Sequence, residues 1–281
     1  MKALPELVGV YGGGRMGVGI AHAFVVAGSD VMVVEANAAA AEAAFDALAT
    51  SVKRSADLGV LDEDSDAVLA RVEISTAPDR LANADLVIEA VPEDPDLKRR
   101  ILESVEAIAP AAVLATNTSS LSIAALGEGL RYPEKFIGLH FFNPVPASSL
   151  VELVTCAKTA PELISRAQSW IISLGKTAIT VADSPGFASS RLGVSLALEA
   201  IRMVESGVAS AEDIDRAMAL GYRHPVGPLR TTDIVGLDVR LAIAEHLERE
   251  IGTQFAPPEL LRAKVAAGEL GRKAGRGFFD W

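Results

Sequence analysis

A histidine and an asparagine stand just past an apolar run in GLHFFNPVP (138–146), and a glutamate follows in LVELV (150–154), giving His140, Asn143 and Glu152. That layout suits proton transfer. Glu152 is flanked by Leu150, Val151, Leu153 and Val154, with no lysine or arginine within one strand length, so a buried carboxylate there needs a partner from elsewhere in the chain. His140 is the nearest credible one. An imidazole backed by a carboxylate is held in one tautomer and stabilised when it takes up a proton, which is what a general base acting on an alcohol needs.

A second constellation reads as a dinucleotide site. VGVY (8–11) runs into Gly12-Gly13-Gly14-Arg15-Met16-Gly17, a G-x-G-x-x-G between a predicted strand and a helix that continues through GIAHAFVVAG. Gly12 would make the tight turn, Gly14 would let the backbone approach a pyrophosphate at the helix N-terminus, and Gly17 would allow close helix-to-strand packing. Arg15 and Met16, between the glycines, join them as cofactor-binding candidates. A glycine-rich turn alone proves little; the discriminating residue is Glu35, which ends VMVVE eighteen positions after Gly17. A carboxylate there accepts hydrogen bonds from a ribose diol and repels a 2′-phosphate, and no arginine follows in residues 36–39, so NAD is expected rather than NADP.

Positioning these groups requires a sheet. Short β-branched runs at 8–11, 31–35, 72–75, 86–90, 113–116, 136–139, 150–155 and 177–181 alternate with alanine-rich helical stretches at 37–54, 97–108 and 161–174, the pattern of a parallel sheet with crossover helices. At Asp183-Ser184-Pro185-Gly186 the pattern changes: a serine before a proline reads as a helix N-cap with proline at the first helical position. Helices are expected at 187–205, 211–220, 236–250 and 258–267, with the HPVGP turn at 224–228 between two of them, and the tail GRKAGRGFFDW is too rich in glycine and cations for another. The fold class is therefore α/β: a Rossmann-like NAD-binding domain over 1–183 followed by an all-α domain over 184–281.

The 281 residues, half of them apolar, suffice for one large and one smaller domain. A formal net charge of −11 argues against nucleic acid or an anionic membrane as partner, and leaves any phosphate-bearing ligand to local features: the glycine loop and the basic pair Lys53-Arg54. Cys156 is the only cysteine, which excludes an internal disulfide, and its setting reads as a small buried residue. With no run of about 18 uncharged apolar residues and no signal-peptide core in MKALPELVGV, a cytoplasmic protein is expected. His22, His224 and His246 have structural readings on a packed helix, at a turn before proline and on an amphipathic helix. No metal is expected, since no histidine or carboxylate cluster has ligand spacing.

Taken in order, GGGRMGVGIA (12–21), ADLVIEAVPED (84–94), NTSSLSI (117–123), FIGLHFFNPVP (136–146), LVELV, DSPGF (183–187), GPLRTTDIVGLD (227–238) and GRKAGRGF (271–278) closely resemble the L-3-hydroxyacyl-CoA dehydrogenases, especially the short-chain 3-hydroxybutyryl-CoA type, over the whole chain. The resemblance implies reversible oxidation of the 3-hydroxyl of an acyl-CoA to a ketone, with NAD as hydride acceptor. It puts the catalytic histidine at His140, its carboxylate partner at Glu152, and substrate-contacting polar groups at Ser119 and Asn143. It further implies that Glu93, Lys98, Asn117, Ser119, Asn143 and, from the tail, Lys273 serve the cofactor, and that Ser51 touches CoA. A lysine usual seven residues later is Leu58 here, which leaves Lys53 or Arg54 as substitutes. The asparagine usual after DSPGF is Ser190, a shorter donor for the substrate's thioester oxygen. The resemblance also implies a homodimer through the helical domain, to which Leu192, Leu196, Ile201 and Val204 would contribute apolar surface. Two rival functions use the same residues: a dehydrogenase of a small polar hydroxy acid without CoA, and a non-catalytic NAD-binding protein.

Overall fold

A computed structural model describes residues 4–281; the first three residues of the expected first domain lie outside the described residues. The chain forms two compact units, one running up to Asp183 and the other from Ser184 to Trp281.

The first unit is built on strands β1 (Leu7–Tyr11), β2 (Asp30–Val34), β3 (Val72–Ser75), β4 (Leu86–Glu89), β5 (Val113–Thr116), β6 (Phe136–Phe141), β7 (Leu150–Thr155) and β8 (Thr177–Ala182), hydrogen-bonded in the order β3-β2-β1-β4-β5-β6-β7-β8. Its helices are α1 (Arg15–Val26), α2 (Ala38–Asp57), α3 (Ser65–Leu69), α4 (Pro95–Ile108), α5 (Ile123–Leu126) and α6 (Pro161–Ser173). β4 and β5 are buried at every position, as strands covered on both faces must be, and read as unbroken apolar runs ended by one polar residue. The order of neighbours reverses between β1 and β4, so their carboxyl ends open a crevice where ligands bind in doubly wound sheets.

Not every pairing is parallel. β6 and β7 run antiparallel, because the short connection over residues 142–149 cannot make a crossover, which takes roughly a dozen residues or more. The parallel pattern expected from the sequence holds for the other six pairs, and the one exception has a consequence for function: the antiparallel register places His140 directly opposite Glu152. His140 lies within β6 rather than beyond its end.

The second unit packs α7 (Ser189–Glu205), α8 (Ala211–Tyr222), α9 (Pro228–Val235), α10 (Leu237–Glu250) and α11 (Glu259–Ala266) around Val194, Leu198, Ile201, Leu229, Leu237, Leu247 and Phe255. Four sequence expectations change. Ser184 caps no helix: Gly186 and Phe187 both have positive φ, which interrupts a helical path, and α7 begins at Ser189. Helix α9 fills the stretch after the HPVGP turn, and its start is capped from a distance, Asp215 accepting from the amides of Leu229 and Arg230 at 2.9 Å. Ile201 is fully buried and offers no surface, Val204 is partly buried against the same core, and Leu192 is 71 % exposed. Cys156 is only half-buried, with Sγ 3.6 Å from the Thr159 hydroxyl. No helix among the described residues is long and apolar enough to cross a membrane, and no group of three or more His, Cys, Asp or Glu is placed to hold a metal.

Candidate active site

The glycine loop leaves β1 with Gly12 at φ 99° and enters α1 with Gly14 as N-cap. No side chain caps that end, which leaves the first amides of α1 without a side-chain partner, and a Cβ on Gly14 would meet nothing within 4 Å, so a ligand can approach the backbone there. Gly17 is required for a different reason: its Cβ would lie 1.8 Å from the carbonyl oxygen of Gly12, so any side chain there displaces the loop. Glu35, just past β2, accepts from the amide of Gly13 at 2.5 Å and of Ala36 at 2.9 Å. Gly14, Arg15 and Glu35 share a cavity of about 400 Å³ with Ala40, Ala44 and Ala47 of α2. Met16, in the first turn of α1, packs partly buried against the sheet core.

Beyond β4 a buried ion cluster shapes the next wall. The Lys98 ammonium, 1 % exposed, donates to Glu89 Oε1 at 2.7 Å and to the carbonyl of Val91 at 3.1 Å, and lies 3.3 Å from Glu93 Oε2. Glu89, equally buried, also accepts from the amide of Val91 and from Thr116 Oγ1. Glu93 Oε1 in turn accepts from Thr118 Oγ1 at 2.6 Å, the Ser119 amide at 2.9 Å, and the hydroxyls of Ser119 and Ser120 at 3.2 Å. Burial would raise the Glu93 carboxyl, but the Lys98 charge and these donors outweigh it and hold the group below the ordinary carboxylate range. Lys98 can thus act on a ligand only through Glu93.

Sequence reasoning passed over Glu89, although its signal is the one that exposed Glu152: an acid set in an otherwise apolar strand. Asn117 ties two strand ends together, its Oδ1 accepting from the Phe141 amide at 2.9 Å, which fixes the backbone immediately after His140.

His140 and Glu152 meet as the register requires, Nδ1 to Oε2 at 2.7 Å, with the carboxylate fully buried and the histidine 6 % exposed. An ionised carboxylate accepts only, so Nδ1 carries the proton and Nε2 the lone pair. Phe142 packs on the imidazole at 4.5 Å between centroids. The next residue, Asn143, is exposed and opens a second cavity of about 460 Å³ that Arg15, Ser51, Arg54 and Leu58 also line. The loop behind Asn143 is clamped by Lys176, whose ammonium donates to the carbonyls of Val145 and Ser148, both at 2.6 Å. Lys53 is exposed on α2 and does not line this cavity.

Comparison with known proteins decides the family. A model of the 3-hydroxyacyl-CoA dehydrogenase NAD binding domain matches residues 7–184, and one of the 3-hydroxyacyl-CoA dehydrogenase C-terminal domain matches residues 186–281. The chain belongs to the 3-hydroxyacyl-CoA dehydrogenases. It is 40 % identical over 98 % of both chains to 3-hydroxybutyryl-CoA dehydrogenase of Mycobacterium tuberculosis, and 40 % identical to the probable 3-hydroxybutyryl-CoA dehydrogenase of Bacillus subtilis over 97 % of this chain and 96 % of that one. The crystal structure of (S)-3-hydroxybutyryl-CoA dehydrogenase from Ralstonia eutropha superposes with a TM-score of 0.94 at 41 % identity, covering 99 % of each chain.

As a 3-hydroxyacyl-CoA dehydrogenase the protein is an NAD-dependent enzyme, and its residues fit that cofactor. The uncapped start of α1 suits a pyrophosphate, and the Glu35 carboxylate, facing the same cavity, suits a ribose diol. Glu35→Ser with Ala36→Arg is expected to weaken NADH binding about tenfold and to strengthen NADPH binding, since a charge-assisted hydrogen bond contributes about 1.5–3 kcal/mol. Titration of both cofactors checks it; a wild-type preference for NADPH would refute the reading of Glu35. Two further sequence candidates belong to the second unit. Ser190 is half-buried in the first turn of α7, and Lys273, in the tail, donates to Asp238 Oδ2 at 2.6 Å.

Proposed function

We propose that this dehydrogenase interconverts a short-chain (S)-3-hydroxyacyl-CoA, of the 3-hydroxybutyryl size, with its 3-ketoacyl-CoA, using His140 as general base. The observation that carries the mechanism is the buried His140–Glu152 hydrogen bond at 2.7 Å. With Nδ1–H directed at Glu152, Nε2 takes the proton of the 3-hydroxyl, and the fully buried carboxylate stabilises the imidazolium that results. When bound, NAD supplies the acceptor for the hydride leaving C3. Ser119 and Asn143 hydrogen-bond the substrate oxygens and hold C3 in place. Glu93 orients Ser119, and Asn117 secures the strand end behind His140. In the reductive direction the imidazolium returns the proton to the new alkoxide.

The cavity lined by Ser51 and Arg54 receives the CoA arm in this reading, with Arg15 and Arg54 supplying local positive charge on a chain of net charge −11. Leu58, 68 % exposed at the same cavity, offers no charge there. Ser190 stands in for an asparagine toward the thioester, and Lys273 serves the cofactor. The helical unit pairs two copies: Leu192, Leu220, Tyr222, Ile234 and Val239 leave it a strongly apolar surface. A cytoplasmic location accords with one cysteine and NAD-linked chemistry.

Loss of NADH absorbance on adding acetoacetyl-CoA, longer 3-ketoacyl-CoAs or free acetoacetate tests this. Turnover falling with chain length, and negligible for free acetoacetate, is expected. Equal rates with the free acid would favour a CoA-independent dehydrogenase, and NADH binding without oxidation would remove the catalytic reading. Sedimentation of the same sample as a monomer at micromolar concentration would remove the dimer.

A further inference from the structure

His22 sits on α1, 4 % exposed, and takes no part in the steps above. Both of its ring nitrogens nonetheless meet hydroxyls: Nδ1 lies 3.0 Å from Ser51 Oγ and Nε2 3.3 Å from Ser55 Oγ. The two serines are one turn apart on α2, and both line the 460 Å³ cavity. Burial, and then the nearby charge of Lys176, lowers the imidazole to about 4, so the ring is neutral at any ordinary assay pH.

A neutral imidazole has one N–H and one lone pair, so one serine must accept from the ring and the other donate to it. Ser55 is the more buried hydroxyl, so the ring is the acceptor within its reach, whereas the more exposed Ser51 can direct a proton into the cavity. The Ser55 proton on Nε2 leaves Nδ1 protonated, and Nδ1–H then donates to Ser51. The proton of Ser51 is thereby turned away from the ring and toward the cavity. The opposite tautomer would tie that proton to Nδ1 and leave the cavity with an acceptor only.

We propose that His22 is a positioning residue for substrate binding, which with Ser55 holds the Ser51 hydroxyl as a donor to an oxygen of the CoA arm beyond the cysteamine. This rests on the acyl-CoA reading of the cavity given above. Arg15 and Arg54 contribute charge there, whereas Ser51 contributes direction, since a hydroxyl with one defined proton distinguishes an acceptor from a donor on the ligand.

The test is steady-state kinetics on Ser51→Ala, Ser55→Ala, His22→Leu, His22→Gln and Ser51→Ala/His22→Leu, using acetoacetyl-CoA and the acetoacetyl thioester of N-acetylcysteamine, which lacks the rest of the arm. Ser51→Ala and His22→Leu should each raise the KM for acetoacetyl-CoA about fivefold, with kcat and the KM for NADH within about twofold of wild type. The double variant should be no worse than either single one, because both remove the same contact. His22→Gln, which keeps a donor and an acceptor, should recover part of the loss, and with the truncated thioester all variants should match wild type. Ser55→Ala should also raise the KM for acetoacetyl-CoA, and it carries the test if His22→Leu does not fold. An unchanged KM in Ser51→Ala or Ser55→Ala, additive losses in the double variant, or equal losses with the truncated thioester would overturn the proposal. A wild-type enzyme inactive on acetoacetyl-CoA would instead overturn the acyl-CoA reading on which it rests.

Discussion

Replacing His140 by alanine should lower kcat for acetoacetyl-CoA reduction by about 10²–10⁴-fold while NADH binding and the folded state persist, since general acid–base catalysis supplies a factor of that size. The separation is expected from the geometry. The glycine loop and Glu35 lie at the β1 and β2 ends of the sheet, several strands from β6, and none of their hydrogen bonds involves His140. Glu152→Gln is the informative companion, because it preserves shape and removes the charge that stabilises the imidazolium. It should lose much of the same factor. Stopped-flow turnover with parallel NADH titration checks both variants, and near-normal kcat in His140→Ala would dismiss the histidine as the base.

The largest effect on stability is expected at Glu89. Removing one partner of a buried ion pair leaves the other charge uncompensated, at a cost of about 3–5 kcal/mol. Lys98 retains Glu93 at 3.3 Å, which puts Glu89→Gln at the lower end, about 3 kcal/mol. For a chain of this size that corresponds to a fall in Tm on the order of 6–10 °C. The double variant Glu89→Gln/Lys98→Met should recover part of the loss, as the buried ammonium is gone while Glu93 loses its cation but keeps its donors from Thr118, Ser119 and Ser120. Activity should fall beyond what stability explains, because Lys98 left with Glu93 alone draws that carboxylate away from the hydroxyls of Ser119 and Ser120. Thermal melts of the three proteins, with kcat/KM taken well below each Tm, separate the two effects. A Glu89→Gln variant that melts with wild type would show the pair to be dispensable.

Much of the site was legible because its signals are local. The spacing of Gly12, Gly14 and Gly17 between a strand and a helix, and Glu35 at the end of the next strand, specify a loop and an acceptor whose geometry depends on backbone sterics and a short stretch of chain. Glu152 announced itself by its company, since a carboxylate among leucines and valines must find a donor. The helical tail of the chain was harder. Helix α9 begins under a cap supplied by Asp215, fourteen residues before Leu229, and Asp233 within it is fully buried to accept from the amides of Phe278 and Phe279 and from Trp281 Nε1. No short window of sequence contains either partnership.

By itself, then, the sequence determined the family's cofactor and pointed to the groups proposed here for the chemistry, because residue type and spacing set hydrogen-bonding capacity and charge. Tertiary structure alone decided how those groups are held. The antiparallel turn from β6 to β7 sets His140 opposite Glu152, and the cluster of Glu89, Lys98 and Glu93 converts a distant ammonium into a tether for Ser119. Packing of α1 on α2 joins His22 to Ser51 and Ser55 across twenty-nine and thirty-three residues. Each of these depends on burial, and burial is a property of neighbours brought together from far along the chain, which pairs a charge or a ring nitrogen with whatever partner the completed core places within reach.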